Sequence, residues 1–311
     1  MQISKVELCL RGDYPIELPP FAGSTIRGAF GNLLKKAVCV VRHRDCRSCT
    51  MRGSCTYTYL FESGWYFSPD DRPQAGVPQP FVFEPPLNRP NDTDANTVNV
   101  DILLFGHAVD YLPCFTYCFE QMGKAGLGKR RTGFKLETVR DVFGNGTVIN
   151  AGNTGIITQK PIARTWDDYQ NIATGNSLVR RCRVEFITPL RVKKEGHLQD
   201  QVDFALLIRA IIRRWMLLCK YYGSGFNAGD IVDLLELAES ISYGTLDLRW
   251  QEWERYSRRQ DQRMAMGGMV GIMECEGELS PFWPWLLIGQ DIHVGKNTSF
   301  GLGKYMLSVL K

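Results

Sequence analysis

The chain has 311 residues, 44% hydrophobic and 23% charged, with a formal net charge of +4, which suits a soluble globular protein of one large domain or two. No apolar run is long enough to span a bilayer and Met1 to Pro20 lacks the apolar block of a secretion signal, so a cytoplasmic protein with no membrane partner is expected. Without such a signal, the ten cysteines argue against a disulfide framework and for core thiols or metal ligands.

In chain order, KVELCLRG alternates Val6, Leu8 and Leu10 to one face and predicts a half-buried strand. STIRGAFGNLLKKAVCVV carries Ile26, Phe30, Leu33, Leu34, Ala37, Val38 and Val41 at helical spacing, with Ser24 or Thr25 as its cap. A cysteine-rich segment and a proline-rich loop, SPDDRPQAGVPQP, follow. NVDILLFGHAV then predicts a strand, DYLPCFTYCFEQMG a helix, GKAGLGKRRTG a loop and FKLETVRDV a closing strand. Residues 145–168 read as an extension or hairpin outside this plan.

The second half repeats the order. RCRVEFITPLRVK predicts a strand and FALLIRAIIRRWMLLCKYYG an amphipathic helix. LDLRWQEWERYSRR and MGGMVGIMECEGEL form the arms of a hairpin. SPFWPWLLIG predicts a short helix capped by Ser280, with Pro281 in its first turn and Gly289 past its end. YMLSVL is the last strand. Each half therefore reads β-α-β-β-α-β: an α+β protein of two tandem ferredoxin-like (RRM-like) domains, 1–175 and 176–311. Gly126-Leu127-Gly128-Lys129 and Gly301-Leu302-Gly303-Lys304 precede the last strand of each half, which marks an internal duplication.

Glycine-rich turns let a backbone come within hydrogen-bond reach of a ligand, and successive N–H groups can cradle an anion. Expected phosphate contacts are Gly126, Gly128, Gly295, Gly301 and Gly303, with Lys124, Lys129, Arg130, Arg131, Lys296 and Lys304 supplying charge and Asn297, Thr298 and Ser299 donating hydrogen bonds. Neither a P-loop nor a dinucleotide fingerprint is present. The basic clusters KKAVCVVRHRDCR, GKRRTGFK, RRCR and RRW suit an anionic partner, nucleic acid ahead of membrane. Cys39-x6-Cys46-x2-Cys49-x5-Cys55 offers four soft ligands for a structural zinc ion, the alternative being reduced thiols. Cys114 and Cys118 read as core.

STIRGAFGNLLKKAVC with the cysteine cluster and YTYLFE, FGHAVDYLPCF, GLGKRRTGFKLETV, VEFITPLRVKKEG and GQDIHVGKNTSFGLGKYML follow one another in an order that resembles the CRISPR-associated precursor-RNA processing endoribonucleases of the RAMP superfamily. The resemblance implies binding of a CRISPR repeat RNA and its cleavage without a catalytic metal or other cofactor. The ribose 2′-OH would attack the adjacent phosphodiester, leaving a 2′,3′-cyclic phosphate and a 5′-OH. It also implies transfer of the product to subunits of a CRISPR effector complex. The rival reading is a non-catalytic RNA-binding subunit of such a complex.

Such a reaction needs a base for the 2′-OH, an acid for the leaving 5′-oxygen, and positive charge over the phosphorane. Of four histidines, His293 lies in the C-terminal glycine loop, and His43 follows the first helix, where related enzymes keep a catalytic histidine. His107 reads as core and His197 as an exposed turn residue. In a histidine-free site, Arg27, Lys35, Lys36 and Lys296 are the candidates.

Overall fold

The computed structural model describes residues 1–42, 45–70, 72–86, 96–151, 156–175, 178–226, 231–257 and 262–310. These form two units, the first made of Met1–Arg164 with Tyr221–Gly223, the second of Thr165–Lys220 with Ser224–Lys311.

The first unit opens with β1 (Ile3–Gly12), in which Val6, Leu8 and Leu10 face the core as their alternation predicts. Helix α1 (Gly23–Val38) starts at Gly23 behind Ala22 with no side-chain cap, so neither Ser24 nor Thr25 caps it. Short helices α2 (Thr56–Leu60) and α3 (Ser63–Tyr66) lie in the segment that follows. Then come β2 (Phe81–Glu84), β3 (Thr97–Phe105), α4 (Leu112–Ala125), β4 (Phe134–Asp141), β5 (Thr147–Ala151) and the two-residue β6 (Ala163–Arg164). The sheet order is β2-β3-β1-β4-β5, with β6 on β1. The expected plan counts four strands in this half but located only three; β2 is the one not located, because Pro80, Pro85 and Pro86 hide its four residues inside proline-rich sequence. The core is aromatic: Phe30 of α1 stacks on Phe115 of α4 at 4.6 Å and meets Phe83 of β2 edge-on at 5.1 Å.

The second unit begins with α5 (Trp166–Thr174), then β7 (Arg181–Leu190), a small ladder of β8 (Lys193–Lys194) with β9 (His197–Leu198), and α6 (Phe204–Tyr222). Helix α7 (Ile231–Glu239) leads to β10 (Ser242–Gln251), and the hairpin arms β11 (Glu254–Ser257) and β12 (Gln262–Ala265) extend that strand's pairing with β13 (Gly268–Glu276). Helix α8 (Trp283–Ile292) and β14 (Tyr305–Val309) close the unit. Its main sheet runs β10-β13-β7-β14, all antiparallel. Numbering the main strands within each unit gives the order 2-3-1-4 twice, the ferredoxin-like arrangement.

Two boundaries differ from the sequence reading. The units divide at Arg164 rather than near residue 175, because α5 belongs to the second unit: Trp166 packs 4.3 Å from Trp285, and Tyr169 donates to Asp291 Oδ2 at 2.6 Å. Thr165 and Asp168 form a capping box that fixes where α5 starts. Helix α8 also continues through Gly289 to Ile292. That glycine does not stop the helix; a Cβ there would overlap Tyr305 Oη and Ile211.

Candidate nucleic-acid interface

The two GLGK strings share a backbone design. Gly126, Gly128, Gly301 and Gly303 all have φ between 71° and 87°, and the leucine between each pair, Leu127 or Leu302, is buried. The glycines serve the protein's own packing. A Cβ on Gly126 would strike Arg131 O, one on Gly128 would strike Glu17 O, and one on Gly303 would strike Val294 O.

The C-terminal loop is stapled to the end of β7. Lys296 N donates to Arg191 O at 2.8 Å, Gly303 N to Pro189 O at 3.1 Å and Val294 N to Gly303 O at 3.0 Å. Thr188 Oγ1 donates to Gly301 O at 2.8 Å and accepts from Lys304 N at 2.9 Å. With these N–H groups engaged, the expected phosphate cradle is largely filled by protein. Thr298, Ser299, Gly301 and Gly303 are buried, Gly295, Asn297 and Lys304 half-buried, and only Lys296 is exposed.

His293 is corrected outright. Its side chain is 0% exposed, and Nδ1 lies 3.0 Å from Leu302 O, so that nitrogen carries the proton and donates. It sits at φ 60° at the C-cap of α8, between buried Ile292 and Val294, where it cannot present an acid or base to RNA. Arg214 Nε donates to Ile292 O at 2.8 Å beside it and satisfies a carbonyl at the helix end.

The N-terminal turn is the opposite case. Leu127 and Thr132 exchange two backbone hydrogen bonds of 3.0 Å, and the tip between them exposes Lys129, Arg130 and Arg131. Lys124 is exposed at the end of α4, and Lys135 at the start of β4 is exposed opposite Arg11 of β1. Arg130 makes one surface ion pair, 3.2 Å to Glu17, of a kind that contributes little.

On α1, Lys36 is exposed in the last turn, while Lys35 and Arg27 are half-buried against the cysteine-rich segment. Arg27 lies 4.1 Å over the Phe61 ring and Lys35 5.5 Å over Tyr57. His43 lies outside the described residues. His107, expected in the core, is 86% exposed at its side chain, because the strand ends at Phe105 and a 3-10 turn carries it outward, 3.4 Å from Asp110. His197 is exposed, as expected.

The expected zinc site is not assembled. Cys39, Cys46, Cys49 and Cys55 are half-buried, Cys46 and Cys49 on one 3-10 turn, and among the described residues no three His, Cys, Asp or Glu side chains are grouped to hold a metal ion. Burial holds the Cys46 thiol above its ordinary pKa, with Lys35 opposing it. Cys118 is buried and its thiol is pushed up to about 12 by burial; Cys114 is half-buried. Among the described residues no helix is long and apolar enough to cross a membrane.

A ferredoxin-like sheet order occurring twice, each time closing on a GLGK turn, places the chain in the tandem-domain RAMP class. Comparison with known proteins sharpens this. Residues 1–162 match the family model AF_1859_N, an N-terminal domain, and residues 184–305 match the CRISPR-associated endoribonuclease Cas6. Residues 184–305 therefore carry a domain of the CRISPR-associated endoribonuclease Cas6 family, behind an AF_1859_N-type first domain. A relative from Archaeoglobus fulgidus, an uncharacterized protein, is 27% identical over 303 residues, 93% of this chain and 92% of its own. A Cas6 of Thermus thermophilus in a product complex shares the fold with a TM-score of 0.56 at 15% identity, over 99% of both chains. So does part of a Cas6-RT-Cas1–Cas2 complex, with a TM-score of 0.59 at 14% identity, over 99% of this chain and 46% of that one.

Sequence reasoning did not pick out Arg11, and it met Lys135 only as the last residue of the basic cluster GKRRTGFK. Each lies at a strand end beside the glycine turn, and strand alternation puts both on the face opposite Leu10 and Leu136.

Proposed function

We propose that the protein binds a CRISPR repeat RNA and cuts it by attack of a ribose 2′-OH on the adjacent phosphodiester, giving 2′,3′-cyclic phosphate and 5′-OH ends without a catalytic metal. The observation that supports RNA binding most directly is the exposed turn carrying Lys124, Lys129, Arg130 and Arg131. Four cations on one turn and its flanking helix suit a run of phosphates, and each neutralised phosphate releases counterions.

Catalysis falls to the end of α1 and the segment after it. His43 exchanges protons with the 2′-OH or the leaving 5′-oxygen, since imidazole titrates near neutral pH. Lys36, exposed in the last turn of α1, neutralises the phosphorane, and Lys35 adds charge. The cut RNA then passes to a CRISPR effector complex. The test is incubation of purified protein with labelled repeat RNA in EDTA. A cut leaving a cyclic phosphate is the expected result. Tight binding without a cut would instead make the protein a non-catalytic RNA-binding subunit.

A further inference from the structure

Helix α1 leaves part of its apolar stripe uncovered. Leu33, Ala37 and Val38 are spaced for the core together with Phe30 and Leu34, yet Leu33 and Val38 are only half-buried and Ala37 is exposed. Ala37 and Val38 form one wall of an open groove of about 330 Å³, and Pro113, Cys114 and Tyr117 of α4 form the other. Tyr117 is 47% exposed and Cys114 half-buried. Among small-molecule pockets, which run from ~300 to ~1,000 Å³, this volume suits one small planar group. Apart from a phenol hydroxyl and a thiol the lining side chains are apolar, so they offer a surface to pack on and few groups to read a hydrogen-bonding edge.

Positive charge adjoins the groove on both helices. Lys36 is exposed next to Ala37 in the last turn of α1. On α4, spacings of four and three place Tyr117, half-buried Gln121 and exposed Lys124 on one stripe. That stripe covers ~10 Å of helix and ends at the turn that exposes Lys129, Arg130 and Arg131. The acids of α4 and of the turn before it offer little opposition, because Glu120 is half-buried and Asp110 is held by Lys160 at 2.5 Å. The groove is therefore continuous with the cations proposed to hold RNA.

We infer that this groove takes one unpaired nucleobase of the bound RNA, the base beside the scissile phosphate, stacked on Tyr117. The inference rests on the reading that the RNA is cut at the end of α1. A 2′-OH attacks only when it, the phosphorus and the leaving oxygen lie in line, and in a continuously stacked strand it stands to one side of that line. One neighbouring base must leave the stack, and an apolar slot with an exposed aromatic ring offsets the stacking it loses. Because the lining side chains read no Watson–Crick edge, the slot accepts any base and modestly favours purines, whose rings stack over more area.

The test uses the full chain and a repeat RNA with a 2′-deoxy sugar at the cut that wild type makes. 2-Aminopurine is placed in turn at each unpaired position, and its fluorescence is read in the complex. One position beside the scissile phosphate should be quenched with wild type and with Tyr117→Phe, and bright with Tyr117→Ala. An abasic nucleotide there and Tyr117→Ala should each weaken binding about tenfold, with no further loss when combined. Rescue by phenylalanine and an unchanged far-UV circular dichroism spectrum separate stacking from misfolding. If wild type makes no cut, the unmodified RNA serves: a position that depends on Tyr117 then supports the slot while the cleavage reading fails. Cleavage with no position that depends on Tyr117, or losses that add, would overturn the slot and leave the cleavage reading standing. So would wild-type RNA affinity in Tyr117→Ala together with lost binding of an effector subunit, which would give the groove to a protein.

Discussion

Replacing Gly303 with alanine tests whether the C-terminal glycine loop is a packing device or an RNA contact. Gly303 has φ 71°, and a Cβ there would collide with Val294 O, whose own N–H donates to Gly303 O at 3.0 Å. Forcing a residue with a Cβ into left-handed backbone costs about 1–2 kcal/mol. Separating the two strands of the loop forfeits that hydrogen bond, adding about 1–2 kcal/mol when the groups stay buried. The sum is ~3 kcal/mol, which lowers the melting temperature of a domain of this size by roughly 6–12 °C. Gly196 is the matched control, because it has φ 86° in the same unit with nothing within 4 Å of its would-be Cβ. Its alanine variant bears the backbone cost alone, ~1.5 kcal/mol, and a shift of about 3–6 °C is expected. Both variants are followed by thermal denaturation, and repeat-RNA affinity is measured well below the melting range. Equal losses at the two positions would refute the close-approach argument. So would a Gly303→Ala protein that melts like wild type yet loses RNA.

Four further outcomes are expected. His293→Ala should lower stability yet leave single-turnover cleavage near wild type at low temperature, whereas His43→Ala should slow it by about 10²–10⁴. A selective rate loss in the first variant would contradict its burial. Removing Lys129, Arg130 and Arg131 together should flatten the dependence of log affinity on log salt by about 2, from ~0.7 per cation on a single strand. An unchanged slope would move the contact elsewhere. Tyr169→Phe removes the 2.6 Å bond to Asp291 and should cost about 1.5–3 kcal/mol in urea unfolding, with no effect expected if α5 were not part of the second unit. The hydrogen bond from Lys160 holds the Asp110 carboxyl below its ordinary pKa. A depressed carboxylate stabilises the fold above its unfolded pKa, and that contribution fades as pH falls through the folded value. Lys160→Ala should raise the Asp110 midpoint in a carboxyl NMR titration, and an unmoved midpoint would show that the contact does not form.

Much of the architecture was legible because period and chain order carry it. The alternation of KVELCLRG and the helical spacing of STIRGAFGNLLKKAV each gave one element, and the repeated GLGK string aligned the two halves. What was lost had local causes. Four residues of β2 between prolines are too short to show a period, and α5 was read as part of an extension although its Thr165–Asp168 box was visible. The site was read less well than the fold. Glycine with lysine signals a tight turn, but not whether the turn faces solvent, and that separated Lys129–Arg131 from Ser299–Gly303. The available clue was Ile292 and Val294 on either side of His293, an apolar setting that favours a buried ring.

The unequal exposure of the two GLGK turns bears on how the halves can diverge. Residues 129–131 touch little of their own domain, so drift there can follow a changing repeat with small loss of stability. Residues 301–303 are bound to β7 through Thr188 and Pro189, and a change in either partner must be matched by the other. The first turn can therefore change its side chains at little cost to the fold, whereas the second is a fixed joint that tolerates few replacements.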